Sequence, residues 1–357
     1  MNDKRYIRQT ILKSFGRTAQ EKLKHAKVLV VGAGGLGVPV LQYLNAMGVG
    51  TLGIVENDTV DISNLQRQVM YAEGDVGKSK LDVISEKLQA QNSETELHRH
   101  PTFLHSENAL EIIKNYDVVV DATDNFPARY LINDACVLLK KPFVYGALHE
   151  FEGQVSVFNY KNGPTYRCLF PNMPNADEMP NCNENGVLGV VPGIIGNLQA
   201  LEAVKMITGI GKPLAGKLLI FDGLQQQYQQ ISFDLQSENL AISELQSTYE
   251  NVSCATDFTI SVDEFSTYLN KKSPLQIIDV RTPQEYETFH FENSINIPLQ
   301  ELSERINEID AAQNVYLVCQ SGVRSKKAVD ILKEKINSSI FELEGGINNY
   351  NRYAINH

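Results

Sequence analysis

The chain has no apolar run long enough to read as a bilayer span: its most apolar stretch, residues 187–195, is short and glycine-bearing. An apolar leader is lacking too, because Met1-Asn2-Asp3-Lys4-Arg5 is polar. Cysteine is scarce, five in 357 residues, odd in number and scattered. That excludes a disulfide framework and points to a reducing cytoplasm. Positive charge is in deficit, 32 Lys and Arg against 43 Asp and Glu, for a formal charge of -11. Neither nucleic acid nor an anionic membrane is therefore expected as the main partner. What remains, 43% hydrophobic and 21% charged, describes a folded globular chain too long for one typical core.

Hydrophobic periodicity predicts alternating strands and helices. An apolar strand at 28–31 runs into Gly32-Ala33-Gly34-Gly35-Leu36-Gly37 and then a helix over 38–47. Further strands are expected at 51–55, 117–121 and 143–147, with helices at 78–91 and 126–140. A long loop over 163–185 precedes a helix at 193–207 and closing strands at 218–221 and 227–233. This alternation implies a doubly wound α/β unit with a parallel sheet and right-handed crossovers over residues 1–235. Residues 236–257 are polar and read as a linker. A smaller α/β unit restarts over 258–357, with strands at 275–279 and 315–319.

Gly32, Gly34 and Gly37 form G-x-G-x-x-G between a strand and a helix, where backbone can approach a phosphate and helix amides supply donors. Glu56, closing the second strand, is placed to accept hydrogen bonds from ribose hydroxyls. The loop alone does not separate NAD from ATP. Arg67 and Lys80 supply cations suited to a triphosphate, and Asp124, just past a strand end, supplies a carboxylate suited to its metal. Taken singly each is an ordinary surface charge; together they favour phosphoryl chemistry.

The segments Arg5-Tyr6-Ile7-Arg8-Gln9, the Gly32–Gly37 loop, Ser63 to Gln68, Lys78 to Lys80 and Asp121 to Asn125 resemble the ThiF/MoeB/HesA family, adenylyltransferases related to ubiquitin-activating enzymes. The resemblance covers roughly residues 5–235 and implies a Rossmann-like fold with an ATP site. It implies nucleotide contacts from Gly35, Glu56, Asp58, Ser63, Asn64, Leu65, Gln66, Arg67, Lys80 and Asn125. It further implies magnesium at Asp124 and Arg8 reaching in from the partner of a homodimer. The implied reaction is attack of a carrier protein's C-terminal glycine on the α-phosphate of ATP. Relatives commonly carry structural zinc on two Cys-x-x-Cys pairs. Here the first reads Thr165-Tyr166-Arg167-Cys168, no second exists near 235–257, and zinc is expected to be absent. Cys182, in a polar stretch of the long loop, is a candidate for a covalent step on the carrier, set against a dispensable thiol.

In the second unit, Cys319-Gln320-Ser321-Gly322-Val323-Arg324-Ser325 follows a strand and opens a helix. A thiol so placed meets backbone amides and a helix N-terminus, with Arg324 beside it, a setting that favours thiolate or persulfide. The segments 278–281, 285–286, 295–298 and 344–346 resemble the rhodanese family. Four residues separate Cys319 from Arg324, one fewer than in phosphatases of related fold, which favours sulfur over phosphate. Asp279 and Arg281 read as scaffold.

The two resemblances together imply ATP-dependent activation of a ubiquitin-like sulfur carrier, then sulfur transfer from a Cys319 persulfide, itself loaded by a persulfide donor, to give a thiocarboxylate for molybdopterin or thiamine biosynthesis. Two rivals stay open at this point: a nicotinamide-dependent oxidoreductase on the same glycine loop, and a silent partner-binding scaffold.

Overall fold

The computed structural model describes residues 3–174, 186–249, 259–270, 275–311, 313–333, 335–336 and 338–356. The chain forms two compact units, Met1–Asn251 and Val252–His357.

The first unit is built on an eight-stranded sheet: β1 (Lys27–Val31), β2 (Thr51–Val55), β3 (Glu96–His100), β4 (Val118–Asp121), β5 (Phe143–His149), β6 (Glu152–Phe158), β7 (Lys217–Asp222) and β8 (Gln227–Ser232), in spatial order β3-β2-β1-β4-β5-β6-β7-β8. The expected alternation holds through β5, where every pairing is parallel. From β5 to β8 the pairings are antiparallel, so the all-parallel expectation is corrected for this half. Tight reversals join β5 to β6 and β7 to β8, while the long segment between β6 and β7 carries the helix Val190–Thr208 and still returns antiparallel. Strands β3 and β6 were not anticipated. Glu-Leu-His-Arg-His has one aliphatic residue because β3 is a sheet edge, and β6 opens on Glu152-Gly153-Gln154.

Buried aliphatics explain the central strands: Val28, Leu29, Val30 and Val119 are fully buried, as parallel strands covered on both faces require. The helix Val190–Thr208 has the length and apolarity to cross a membrane, yet it packs on the helix Gly37–Ala46 and on β5 and β6. Ile195 and Ala203 are fully buried there, so its apolar surface serves the core.

Segment 236–249, expected as a linker, instead packs on the first unit. Tyr249 is 5% exposed and its hydroxyl donates to Asp134 Oδ2 at 2.8 Å. Leu245 lies against the same core. Polar composition concealed this because one aromatic and one leucine suffice to anchor the stretch.

The second unit is a five-stranded sheet, β9 (Thr259–Ile260), β10 (Gln276–Asp279), β11 (Ile295–Asn296), β12 (Val315–Val318) and β13 (Ile340–Leu343), parallel throughout in the order β11-β10-β12-β13-β9. Strand β12 is central, with Val315, Leu317 and Val318 fully buried.

One glycine decides the geometry of the first turn. A Cβ on Gly37 would run into the Gly32 carbonyl, 2.8 Å from its carbon and nearer still to its oxygen. Backbone cannot yield there without parting helix from strand. Gly37→Ala is therefore expected to destabilise the first unit by about 1–3 kcal/mol or more. Calorimetry should show its transition moved down; an unmoved transition would contradict this packing.

Candidate functional sites

After β1 the chain works outward through β2 and β3, then crosses back to β4 and β5 on the other side. Neighbouring β1 and β4 therefore flank the switch point of the sheet, and their carboxyl ends open a crevice where ligands bind in such folds. A cavity of about 1150 Å³ lies at this place.

The floor is the glycine turn. Gly32 has φ +99°, and its missing Cβ lets Ala122 O approach to within 2.8 Å of where that carbon would stand. The Ala33 peptide is held from both sides: its N–H donates to Glu56 Oε2 at 2.8 Å, and its carbonyl accepts from Tyr71 Oη at 2.9 Å. Glu56 Oε1 accepts from Asn57 N and Asp58 N at 2.9 and 2.8 Å. The carboxylate expected to face a ribose thus also shapes the loop, and it lines the cavity.

The basic wall comes from segment 58–68 and the helix Lys80–Gln91. Asp61 Oδ1 accepts from Ser63 N and Oγ at 2.8 and 2.6 Å and caps the short turn Ile62–Asn64. Arg67 Nη1 donates to Ser63 O at 2.9 Å, which points the arginine along the wall. Lys80, 5% exposed, pairs with the exposed Asp58 at 3.0 Å. A buried ammonium with a single exposed counter-charge is a suitable seat for a phosphate that can take that place.

The acidic side follows β4. Asp124 is exposed and among the described residues accepts only from Asn125 Nδ2, at 3.4 Å, while Asn125 Oδ1 caps the helix Phe126–Leu138 through Ala128 N at 2.9 Å. Behind it, Asp121 is fully buried. Its Oδ1 takes the N–H and hydroxyl of Thr123 at 3.0 and 2.6 Å, while Oδ2 has no donor among the described residues. Burial raises the Asp121 carboxyl above its usual range, against the opposing pull of Arg129.

Glu56, Asp58, Ser63, Gln66, Arg67, Lys80, Asp124 and Asn125 line the one cavity together with Gly32, Gly34 and Gly35. Four expected residues do not. Gly37 is spent on helix packing, and Asn64 and Leu65 shape the turn, Asn64 Oδ1 accepting from Asp61 N at 3.3 Å. Arg8, exposed on the helix Asp3–Thr10, also lies away from this cavity. Sequence reasoning missed Arg129, Gln68 and the wall formed by Ser247, Thr248 and Tyr249. Only the last carried no signal at all.

Cys182 and Cys254 lie outside the described residues. Cys136 is fully buried in the core, and burial pushes its thiol up. Cys168 occupies the place where a metal pair was sought. Its sulfur accepts from Gln236 N at 3.3 Å, Thr165 N at 3.4 Å and Asn239 Nδ2 at 3.6 Å. Burial raises this thiol, but those hydrogen bonds outweigh burial and leave it below its ordinary value. Among the described residues no three metal-ligating side chains cluster.

In the second unit Cys319 directly follows β12 and is fully buried, its sulfur accepting from Gly322 N at 3.2 Å. Gly346, at φ +61°, lets its backbone lie against the loop amides of Ser321 and Gly322. Arg324 was expected beside the sulfur. Its guanidinium grips Glu285 at 2.7 and 2.6 Å and holds that carboxyl down at about 2, while its charge still interacts with Cys319. A bidentate carboxylate is the better partner for a planar fork than a single sulfur. Arg281 and Asp279 form a buried pair at 2.7 Å, and Arg281 Nη1 also donates to Gln320 Oε1 at 3.0 Å, so both steady the loop from outside.

With this geometry in hand, comparison with known proteins is informative. Residues 6–242 match the ThiF family and residues 261–353 the Rhodanese-like domain. The chain is 40% identical over 382 aligned positions to "Adenylyltransferase and sulfurtransferase MOCS3" of Culex quinquefasciatus, covering 98% of this chain and 87% of the relative. It is 40% identical to "Probable adenylyltransferase/sulfurtransferase MoeZ" of Mycobacterium tuberculosis, covering 96% and 91%. Over 233 residues, 64% of this chain, it is 54% identical to "Sulfur carrier protein adenylyltransferase" of Thermus thermophilus, 86% of which is covered. Among solved structures, E. coli MccB with ATP shares the fold at a TM-score of 0.59 and 24% identity, over 69% of this chain and 75% of that one.

Proposed function

The chain belongs to the ThiF family and carries a rhodanese-like domain, and on that premise we propose that it adenylylates the C-terminal glycine of a ubiquitin-like sulfur carrier and then delivers sulfur to it. The observation that carries the reading is the cavity at the β1–β4 switch, which gathers Arg67, Lys80 and Asp124 around a glycine turn. A nicotinamide would leave Arg67, Lys80 and Asp124 without a task. Adenylyltransferase and sulfurtransferase are also the activities named for the near-full-length relatives.

In the first step a carboxylate oxygen of the carrier's tail attacks the α-phosphorus of ATP, forming an acyl-adenylate and expelling pyrophosphate. Arg67 and the buried Lys80 offset the charge that builds on the leaving group, and the glycine turn brings backbone close to the phosphates. Asp124 suits a magnesium ion, being an exposed hard oxygen ligand with one weak partner, and such an ion keeps waters and binds phosphate oxygens beside one or two carboxylates. When bound, it would polarise phosphoryl oxygens. We further propose that Arg8 serves the cavity of a second copy in a homodimer, since it lies outside its own.

In the second step the outer sulfur of a Cys319 persulfide attacks the adenylate carbonyl, releasing AMP and leaving an acyl disulfide. A second thiol, for which Cys182 is our candidate, attacks the Cys319 sulfur and frees the thiocarboxylate. The product is a sulfur donor of the kind used in molybdopterin or thiamine assembly. Mass spectrometry of candidate carriers after incubation with ATP, magnesium and a persulfide donor tests the scheme. One carrier is expected to exchange an oxygen for a sulfur at its terminus; no change in any ubiquitin-like carrier ending in glycine would overturn it.

A further inference from the structure

Under the sulfur loop of the second unit lies a carboxyl group that this scheme leaves unused. Glu342, on β13, is 2% exposed. Its Oε2 accepts from Ser325 Oγ at 3.1 Å and its Oε1 from Thr259 Oγ1 at 3.2 Å. Ser325, fully buried on the helix Val323–Lys333, stands with its Oγ 3.5 Å from Cys319 Sγ and can also donate to Gly322 O at 3.0 Å, a neutral carbonyl that competes less well for the proton than an ionised carboxylate or thiolate. Thiol, hydroxyl and carboxyl, from three different elements, thus form one buried file.

A hydroxyl has one proton to give. While Glu342 is ionised it can only accept, so the Ser325 proton turns toward it and the Cys319 S–H points at Ser325 Oγ. Once Glu342 is protonated it donates to Ser325 Oγ, and the Ser325 proton is released toward Cys319 Sγ. The sulfur then has two donors, Gly322 N–H and Ser325 O–H, as a thiolate requires. Carboxylate therefore goes with thiol, and carboxylic acid with thiolate.

We propose that Glu342, acting through Ser325, is the positioning residue that takes up the Cys319 proton when the sulfur nucleophile forms. During loading, the Cys319 proton passes to Ser325 Oγ while the Ser325 proton passes to a Glu342 oxygen. The thiolate then attacks the outer sulfur of a persulfide donor R–S–SH. The new bond makes Cys319–S–SH, the donor's S–S bond breaks, and R–S⁻ leaves. The groups facing Glu342 fit this task. Burial raises its carboxyl above its usual range, Lys326 on the neighbouring helix and the Ser325 and Thr259 hydroxyls restrain that rise, and Glu344 on its own segment adds to it.

The inference rests on Cys319 being the sulfur-carrying thiol, and its test is read on that thiol without any transfer. The probe is the ultraviolet absorbance of the Cys319 thiolate against pH in the reduced full chain, with Cys319→Ser as blank. In the wild type the thiolate grows in two steps, because carboxyl and thiol share a proton. Glu342→Gln keeps a donor on Ser325 at every pH, so its curve has one step and lies about one pH unit lower, roughly tenfold more thiolate at a given low pH. In a Ser325→Ala background the same change makes no further difference. A single-step wild-type curve, an unmoved Glu342→Gln curve, or a shift that persists without Ser325 each overturns the relay. Should Glu342→Gln not fold, the wild-type curve decides alone. Sulfur transfer that survives Cys319→Ser would instead fell the sulfur-carrier reading and leave the titration result standing.

Discussion

Asp124→Ala lowers carrier-dependent exchange of pyrophosphate into ATP by about 10²–10³-fold, the loss that follows removal of one group aimed at developing charge. The fold is not at stake, because Asp124 is exposed and its one hydrogen bond among the described residues, to Asn125, spans 3.4 Å. No buried partner among them is orphaned by the change, so the loss reports chemistry. Arg67 and Lys80 remain, and they still hold phosphates, but the ion that accompanies a triphosphate has lost its hard oxygen anchor. Exchange that proceeds at the wild-type rate would refute the role given to Asp124. The same assay examines Arg8. If that arginine acts in a second copy, mixing Asp124→Ala chains with Arg8→Ala chains restores part of the activity, since some pairs then contain one intact site. Absence of any recovery after subunit exchange would show that the site is not shared.

Cys319→Ser removes sulfur transfer to background, a loss on the order of 10⁴ or more when a covalent nucleophile is deleted, while pyrophosphate exchange continues unchanged. The separation follows from architecture. Each unit has its own sheet and its own buried core, and Cys319 belongs to that of the second. Substitutions in separate cores generally act independently. A serine hydroxyl occupies nearly the volume of the thiol and can accept the Gly322 N–H, so the loop keeps its shape. Transfer that persists, measured from thiosulfate or a small persulfide, would place the sulfur elsewhere. Exchange that falls along with transfer would mean that the two chemistries are coupled more closely than two separate cores allow.

Much of this was legible in the sequence because the chemistry needs backbone as well as side chains. Gly32 and Gly37 are required by a positive φ and by a close approach of two chain segments, and only glycine meets either demand. Arg67, Lys80 and Asp124 could be picked out because cations and an acid recur at the ends of consecutive elements. Strand β3 was hidden because an edge strand needs few aliphatics. The antiparallel half was hidden because pairing direction leaves no mark on composition. Tyr249 could not be found at all: its position depends on Asp134, 115 residues earlier, and nothing local announces a partner so distant. The pairing of Arg324 with Glu285 was hidden for a related reason. The loop alone puts it beside Cys319, but Glu285 offers a fork-shaped partner that only the folded chain brings near.

Segment 236–249 is fastened at both ends, at Gln236 and Asn239 by the Cys168 sulfur and at Tyr249 by the Asp134 carboxylate, which Arg167 also grips at 2.8 and 2.7 Å. Ser247, Thr248 and Tyr249 face the cavity from this stretch. Any ligand that reaches this wall consequently meets a surface whose conformational entropy was surrendered during folding and is not lost again at each encounter. Selectivity at that face is then a property of shape fixed beforehand rather than of rearrangement.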